Sequence, residues 1–142
     1  MSLRPSLLSL RITTVFQSIL MLLQVALAGG FLGGHFDMLA MHGTLGRVIT
    51  VTALLMAVAA FFVRRRGGPS AVFPASVVVL LALVAQIALG LARSVALHVL
   101  LGVILACAVA VLSHRVMTTP LPARTPAAAR TPDDTLQPEP AA

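Results

Sequence analysis

Apolar residues fill four long runs, at about 12–33, 39–63, 71–92 and 95–113, and polar or helix-breaking residues gather between them. Each run reaches the roughly 20 residues that a helix needs to cross a bilayer core. Gly29, Gly30, Gly33 and Gly34 close the first run, and His35, Phe36 and Asp37 form a short loop. The second run stops at Arg64-Arg65-Arg66, three cations for the headgroup layer, followed by Gly67-Gly68-Pro69. Pro74 falls in the first turn of the third run, where its missing N–H costs least. Arg93-Ser94 is a tight turn into the fourth. The pattern predicts an all-α, integral membrane four-helix bundle. Residues 1–11, with Arg4 and Arg11, read as a cytoplasmic leader, and residues 115–142 as a disordered Pro/Ala-rich cytoplasmic tail.

A repeat runs through the four spans. Gln24-Val25-Ala26-Leu27-Ala28 in the first run matches Gln86-Ile87-Ala88-Leu89-Gly90 in the third. His42-Gly43-Thr44-Leu45-Gly46 in the second matches His98-Val99-Leu100-Leu101-Gly102 in the fourth. The bundle is therefore expected to consist of two similar helix pairs. Ala26-Leu27-Ala28 before Gly29 resembles a signal-peptide cleavage site. The match of Gln24 to Gln86 argues that the segment stays as a structural helix.

Composition narrows the class. The chain is 58% hydrophobic and 10% charged, far from the roughly 25% charged of a soluble domain. Net charge is +6, but the arginines sit at the ends of the runs rather than in a patch, so nucleic acid is excluded as a partner and the lipid bilayer takes its place. All ten cations are Arg and the chain is rich in Ala, the usage of a GC-rich bacterial genome. Arginine counts place both termini and the middle loop in the cytoplasm and only Arg93 outside, a multi-pass inner-membrane protein with N-in and C-in topology. The single Cys107 excludes an internal disulfide or a C-x-x-C pair; nine residues from His98, it reads as a small buried residue on the opposite face.

The repeat carries the chemistry. His42 and His98 lie at the same shallow depth below the outer surface, and ionisable residues inside a membrane are costly and tend to be functional. Gly46 and Gly102 follow one turn later on the same face, where a missing side chain leaves room for a flat macrocycle. Imidazoles on facing helices are common ligands of haem iron. The pair is therefore expected to bind one haem b, with His42 and His98 as the metal ligands. Gln86, Gly90 and Arg93 form one stripe; Arg93 ends it at the outer face, where a guanidinium pairs with haem propionates. Gln24 and Gln86 are expected to bond across the core beneath the cofactor. Packing or interface roles are the plain alternatives for each of these residues. Arg47, about 140° around the helix from His42, is off the ligand face; Gln24, an anionic group or a second subunit are its candidate partners. His35, in the outer loop, reads as a replaceable ligand, a proton-transfer group or a solvated residue, His114 as an interface residue, and Asp37 as a proton acceptor or a partner for Arg93.

Gln-x-x-Leu-Gly-x-x-Arg at 86–93 followed by His-x-x-Leu-Gly from His98 resembles a half-module of the haem A synthase family. The resemblance covers about residues 12–114 and extends to small four-span bacterial membrane proteins of similar plan. It implies a four-helix bundle with one axial His on the second helix and one on the fourth, hence His42 and His98. The family also has an acid in a Glu-x-x-His arrangement, whereas position 39 here is Leu39 and the nearest acid is Asp37. One bundle cannot hold the two haems of that enzyme, although a homodimer would restore two bundles. The resemblance thus implies the fold and the haem and leaves out the hydroxylation chemistry.

These readings favour a small b-type cytochrome that transfers electrons between quinol and a membrane redox partner. Two axial imidazoles leave no open iron position for oxygen chemistry. The alternative is a non-catalytic accessory or assembly subunit of a larger oxidase or haem-synthesis complex. A four-span transporter ranks last, because none of the runs contains Asp or Glu.

Overall fold

The computed structural model describes residues 3–123, and all of its regular structure is helical. The helices are α1 (Leu3–Leu32), α2 (Met38–Arg65), α3 (Val72–Leu91) and α4 (Val95–Thr118). Each is long and apolar enough to cross a membrane, so the chain is a multi-pass membrane protein. α1 packs on α2 and α4, and α3 packs on the same two, which closes an up-and-down ring with α2 and α4 on one diagonal. Residues 124–142, most of the expected tail, lie outside the described residues.

The core follows a strict spacing. Ile49, Ala53, Met56, Ala60 and Val63 of α2 are buried, as are Leu105, Val109, Leu112 and Val116 of α4. Steps of alternating three and four residues are the seam of a left-handed bundle. α1 carries the same seam through Leu7, Leu10, Thr14, Gln17 and Met21, and α3 through Val72, Ser76, Val79 and Leu83. The outward faces are large and apolar: Ile12, Leu22 and Val78 are 70%, 73% and 65% exposed. Contiguous exposure on that scale suits lipid and not water.

Two boundaries differ from expectation. The segment expected as a leader is helical from Leu3, because Leu7 and Leu10 continue the buried seam. At 30 residues α1 is about 45 Å long, more than the bilayer core requires. Its first turns reach past the end of α4, where Arg66 donates to the Ser6 hydroxyl. α4 in turn runs to Thr118, beyond the expected end of the fourth span.

Three helices end in the same capping motif. Gly34, Gly67 and Arg93 have φ of 98°, 78° and 55°, the left-handed region. In each case the next residue's N–H reaches back five residues: His35 to Gly30 O, Gly68 to Val63 O and Ser94 to Leu89 O. These are Schellman caps, which satisfy carbonyls the helix leaves open. Glycine serves twice, and Arg93 adopts the conformation at a cost of roughly 1–2 kcal/mol for an L-residue with a Cβ.

Candidate functional site

The seam positions one step beyond the apolar core hold the site. His42 lies seven residues before Ile49, His98 seven before Leu105, Gln24 seven after Gln17 and Gln86 seven after Val79. All four side chains therefore enter the bundle interior near the end that carries the 33–37 and 92–94 turns. His42 and His98, on diagonal helices, meet there with ring centroids 6.0 Å apart and planes at 61°.

Each histidine is held by its neighbouring helix in the same way. The His42 Nδ1–H donates to Gln24 O at 3.2 Å, and Gln24 Nε2 donates back to His42 O at 3.1 Å. The His98 Nδ1–H donates to Gln86 O at 2.9 Å, and Gln86 Nε2 donates to His98 O at 2.7 Å. A carbonyl oxygen can only accept, so Nδ1 carries the hydrogen and the neutral ring keeps its lone pair on Nε2. A backbone carbonyl on one ring nitrogen is how a ligating imidazole is commonly oriented, with the other nitrogen left for a metal.

The glutamines thus differ from expectation. They do not bond to one another across the core; each locks its own helix to the adjacent one through a His backbone carbonyl. The oxygens Gln24 Oε1 and Gln86 Oε1 are both buried without a hydrogen-bond partner. The glycines face the same glutamines. A Cβ at Gly46 would lie 3.4 Å from Gln24 Nε2, and one at Gly102 only 3.0 Å from Gln86 Nε2. The space that these residues leave is taken by the glutamine amides. Gly90 admits the His98 ring, whose Cε1 would stand 3.2 Å from a Cβ there.

The remaining candidates lie apart from the pair. Arg93 is exposed and forms the left-handed cap between α3 and α4. Arg47 donates to Thr44 Oγ1 at 3.2 Å on the exposed face of α2 and does not engage Gln24. His35 and His114 are exposed, and Asp37 starts α2 without a side-chain cap bond. Cys107 is exposed rather than buried. His98 points into the bundle, so the opposite face of α4 meets lipid.

Sequence reasoning missed Gln17, which is fully buried with both amide atoms unpartnered. Its signal was its place seven residues before Gln24 on the same seam. Nearby, the hydroxyls of Ser18 on α1 and Ser113 on α4 pair at 2.9 Å, and Ser113 also donates to Thr14 O.

Chemically, the arrangement offers two imidazole lone pairs close together and little else. Among the described residues no group of three or more His, Cys, Asp or Glu side chains could hold a metal ion. A metal held here would have to bring most of its own ligands, as a porphyrin does for iron. Two imidazoles on opposite sides of one metal, with bonds of about 2.0–2.1 Å and about 1.1 Å from nitrogen to ring centre, place their centroids a little over 6 Å apart. The observed 6.0 Å is close to that separation. No family model matches the chain, and comparison with curated proteins and with solved structures finds no similar protein.

Proposed function

We propose that this protein is a small b-type cytochrome of the bacterial inner membrane, binding one haem b between His42 and His98 and serving electron transfer. The observation that carries the reading is the ring pair, 6.0 Å apart, with each Nδ1–H tied to a helix carbonyl. That tie fixes the tautomer, aims the Nε2 lone pair and removes the rotational freedom that a ligand would otherwise lose on binding. When bound, haem supplies a one-electron couple, and two axial imidazoles favour electron transfer over oxygen chemistry.

The chain's own residues do the rest. Gln24 and Gln86 hold α1 to α2 and α3 to α4 at the level of the pair, so the bundle reads as two similar helix pairs that each contribute one ligand. Gly46 and Gly102 leave the amides room. Arg93, beside the same end, is positioned by its strained cap to offer a guanidinium to propionates, a reason for a non-glycine residue at a left-handed position. The resemblance to a half-module of haem A synthase supports the same ligand pair. The arginine distribution supports cytoplasmic termini, which puts the histidines near the outer face, within reach of quinol and a membrane redox partner.

Haem extraction and quantification tests the proposal. The expected result is one haem per chain in the wild type and none in His42→Ala or His98→Ala. Haem retained at full stoichiometry by a folded double variant would refute the ligand assignment.

A further inference from the structure

The end of the bundle opposite the histidines has an electrostatic character that the haem reading leaves unused. Arg4, Arg11, Arg64, Arg65, Arg66 and Arg115 all lie there, and the only acid among residues 3–123, Asp37, is at the other end. Three of them are fixed against rings: Arg64 stands 5.7 Å over Phe73, Arg65 5.5 Å over Phe61 and Arg66 5.2 Å over Phe62. Such stacking holds arginines at the boundary between apolar and polar layers.

Arg11 is different, because it is tied to the helix end and stands at the head of a groove. Its Nη2 donates to the Met117 and Thr119 carbonyls at the end of α4. Its Nε is enclosed and reaches no acceptor. Below it, Ile12, Val15, Phe16 and Ile19 of α1, with Met117 of α4, line an open apolar groove of about 420 Å³. From Ile12 to Ile19 the groove follows about 10 Å of helix. An apolar trough along the bundle axis, headed at the membrane boundary by a guanidinium with donors to spare, has the layout of a phospholipid.

We infer that the groove between α1 and α4 is a binding site for one anionic phospholipid, its phosphate on Arg11 and an acyl chain along Ile12, Val15, Phe16 and Ile19. Charge decides the occupant. Six arginines, with no acid at that end among the described residues, attract an anionic headgroup more than a zwitterionic one, and Arg11 Nη1 keeps two N–H groups to donate to phosphate oxygens. The bond from Arg11 to the end of α4 makes the lipid a brace across the α1–α4 seam.

The test uses the full chain in vesicles. The protein contains no Trp or Tyr, so one introduced Trp reports alone. Phe16→Trp places it in the groove, and Val78→Trp places it on a lipid-facing site of α3 outside the groove. Each variant is reconstituted in phosphatidylcholine vesicles containing a minor share of either acyl-brominated phosphatidylglycerol or acyl-brominated phosphatidylcholine, the same in both cases. At Phe16→Trp the brominated anionic lipid should quench with an apparent association about three- to fivefold above that of the zwitterionic lipid, the worth of one surface arginine. At Val78→Trp the two should quench alike. Added inorganic phosphate should leave the preference in place, which separates a lipid from a free anion, and Arg11→Gln should remove it. Equal quenching by the two lipids at Phe16→Trp overturns the inference, as does a preference of the same size at Val78→Trp. The comparison of the two reporters decides the matter even where Arg11→Gln fails to fold.

Discussion

Gly46→Ala and Gly102→Ala, matched positions in the repeat, should have different consequences. Ala is more favourable than Gly inside a helix by about 0.8–1.0 kcal/mol, and both sites gain that. At Gly46 the added Cβ stands 3.4 Å from Gln24 Nε2, ordinary contact, so the gain survives. At Gly102 it stands 3.0 Å from Gln86 Nε2, and that nitrogen is already drawn to 2.7 Å from His98 O. The amide cannot retreat by a few tenths of an ångström without giving up the bond, worth about 0.6–1.5 kcal/mol in a membrane bundle or a protein interior. Gly46→Ala is therefore expected to be stabilised by about 1 kcal/mol, and Gly102→Ala to be neutral or destabilised by about 0.5 kcal/mol. Unfolding by SDS in mixed micelles, followed by far-ultraviolet circular dichroism, measures the difference. Haem titration of the same samples should show weaker binding only in Gly102→Ala, whose His98 loses its brace. Equal stabilisation of the two variants would refute the assignment of Gln86 as a lock between α3 and α4.

Other substitutions probe separate features. Gln17→Leu replaces two unpartnered buried amide atoms with an apolar side chain of similar size and should raise stability in the same SDS assay by about 1–3 kcal/mol. Gly68→Ala should lower it, because the new Cβ would stand 2.9 Å from the Val63 carbonyl oxygen, and backbone cannot yield there. Arg93→Gly should relieve the left-handed cap by about 1 kcal/mol while weakening haem retention, a split that a purely structural role for the guanidinium would not produce. Gln86→Leu should retain the spectrum of bound haem, since the His98 ring is tied to the residue 86 backbone carbonyl, while weakening haem affinity as Gly102→Ala does, since both lose the amide bond to His98 O.

The spans were legible because lipid demands long apolar runs, and their stops were marked by Arg64-Arg65-Arg66 and by glycines. The start of α1 was not. Arg4, Ser6, Ser9 and Arg11 dilute hydropathy there, although Leu7 and Leu10 carry the three-and-four spacing that a count of apolar residues overlooks. The same spacing places His42, His98, Gln24 and Gln86 inside the bundle, so the meeting of these four could be read from the repeat. Their partners could not. Whether a glutamine amide reaches across the core or to the helix beside it depends on differences of an ångström or two between helices, which no spacing rule contains. Cys107 shows the complementary error: the geometry that put it opposite His98 was sound, but in a four-helix membrane protein the face opposite the core is lipid. Arg93 was legible as a turn and not as a left-handed cap, a position that glycine fills at the ends of α1 and α2.

The most direct measurement of the central claim is an absorption spectrum of the detergent-purified protein, oxidised and then reduced with dithionite, beside His42→Ala and His98→Ala. A haem held by both imidazoles gives a sharp reduced α-band in the wild type that is absent from either variant while its helical circular dichroism is retained. A wild-type protein that stays colourless after haem is added, or variants that keep the same band, would contradict the account.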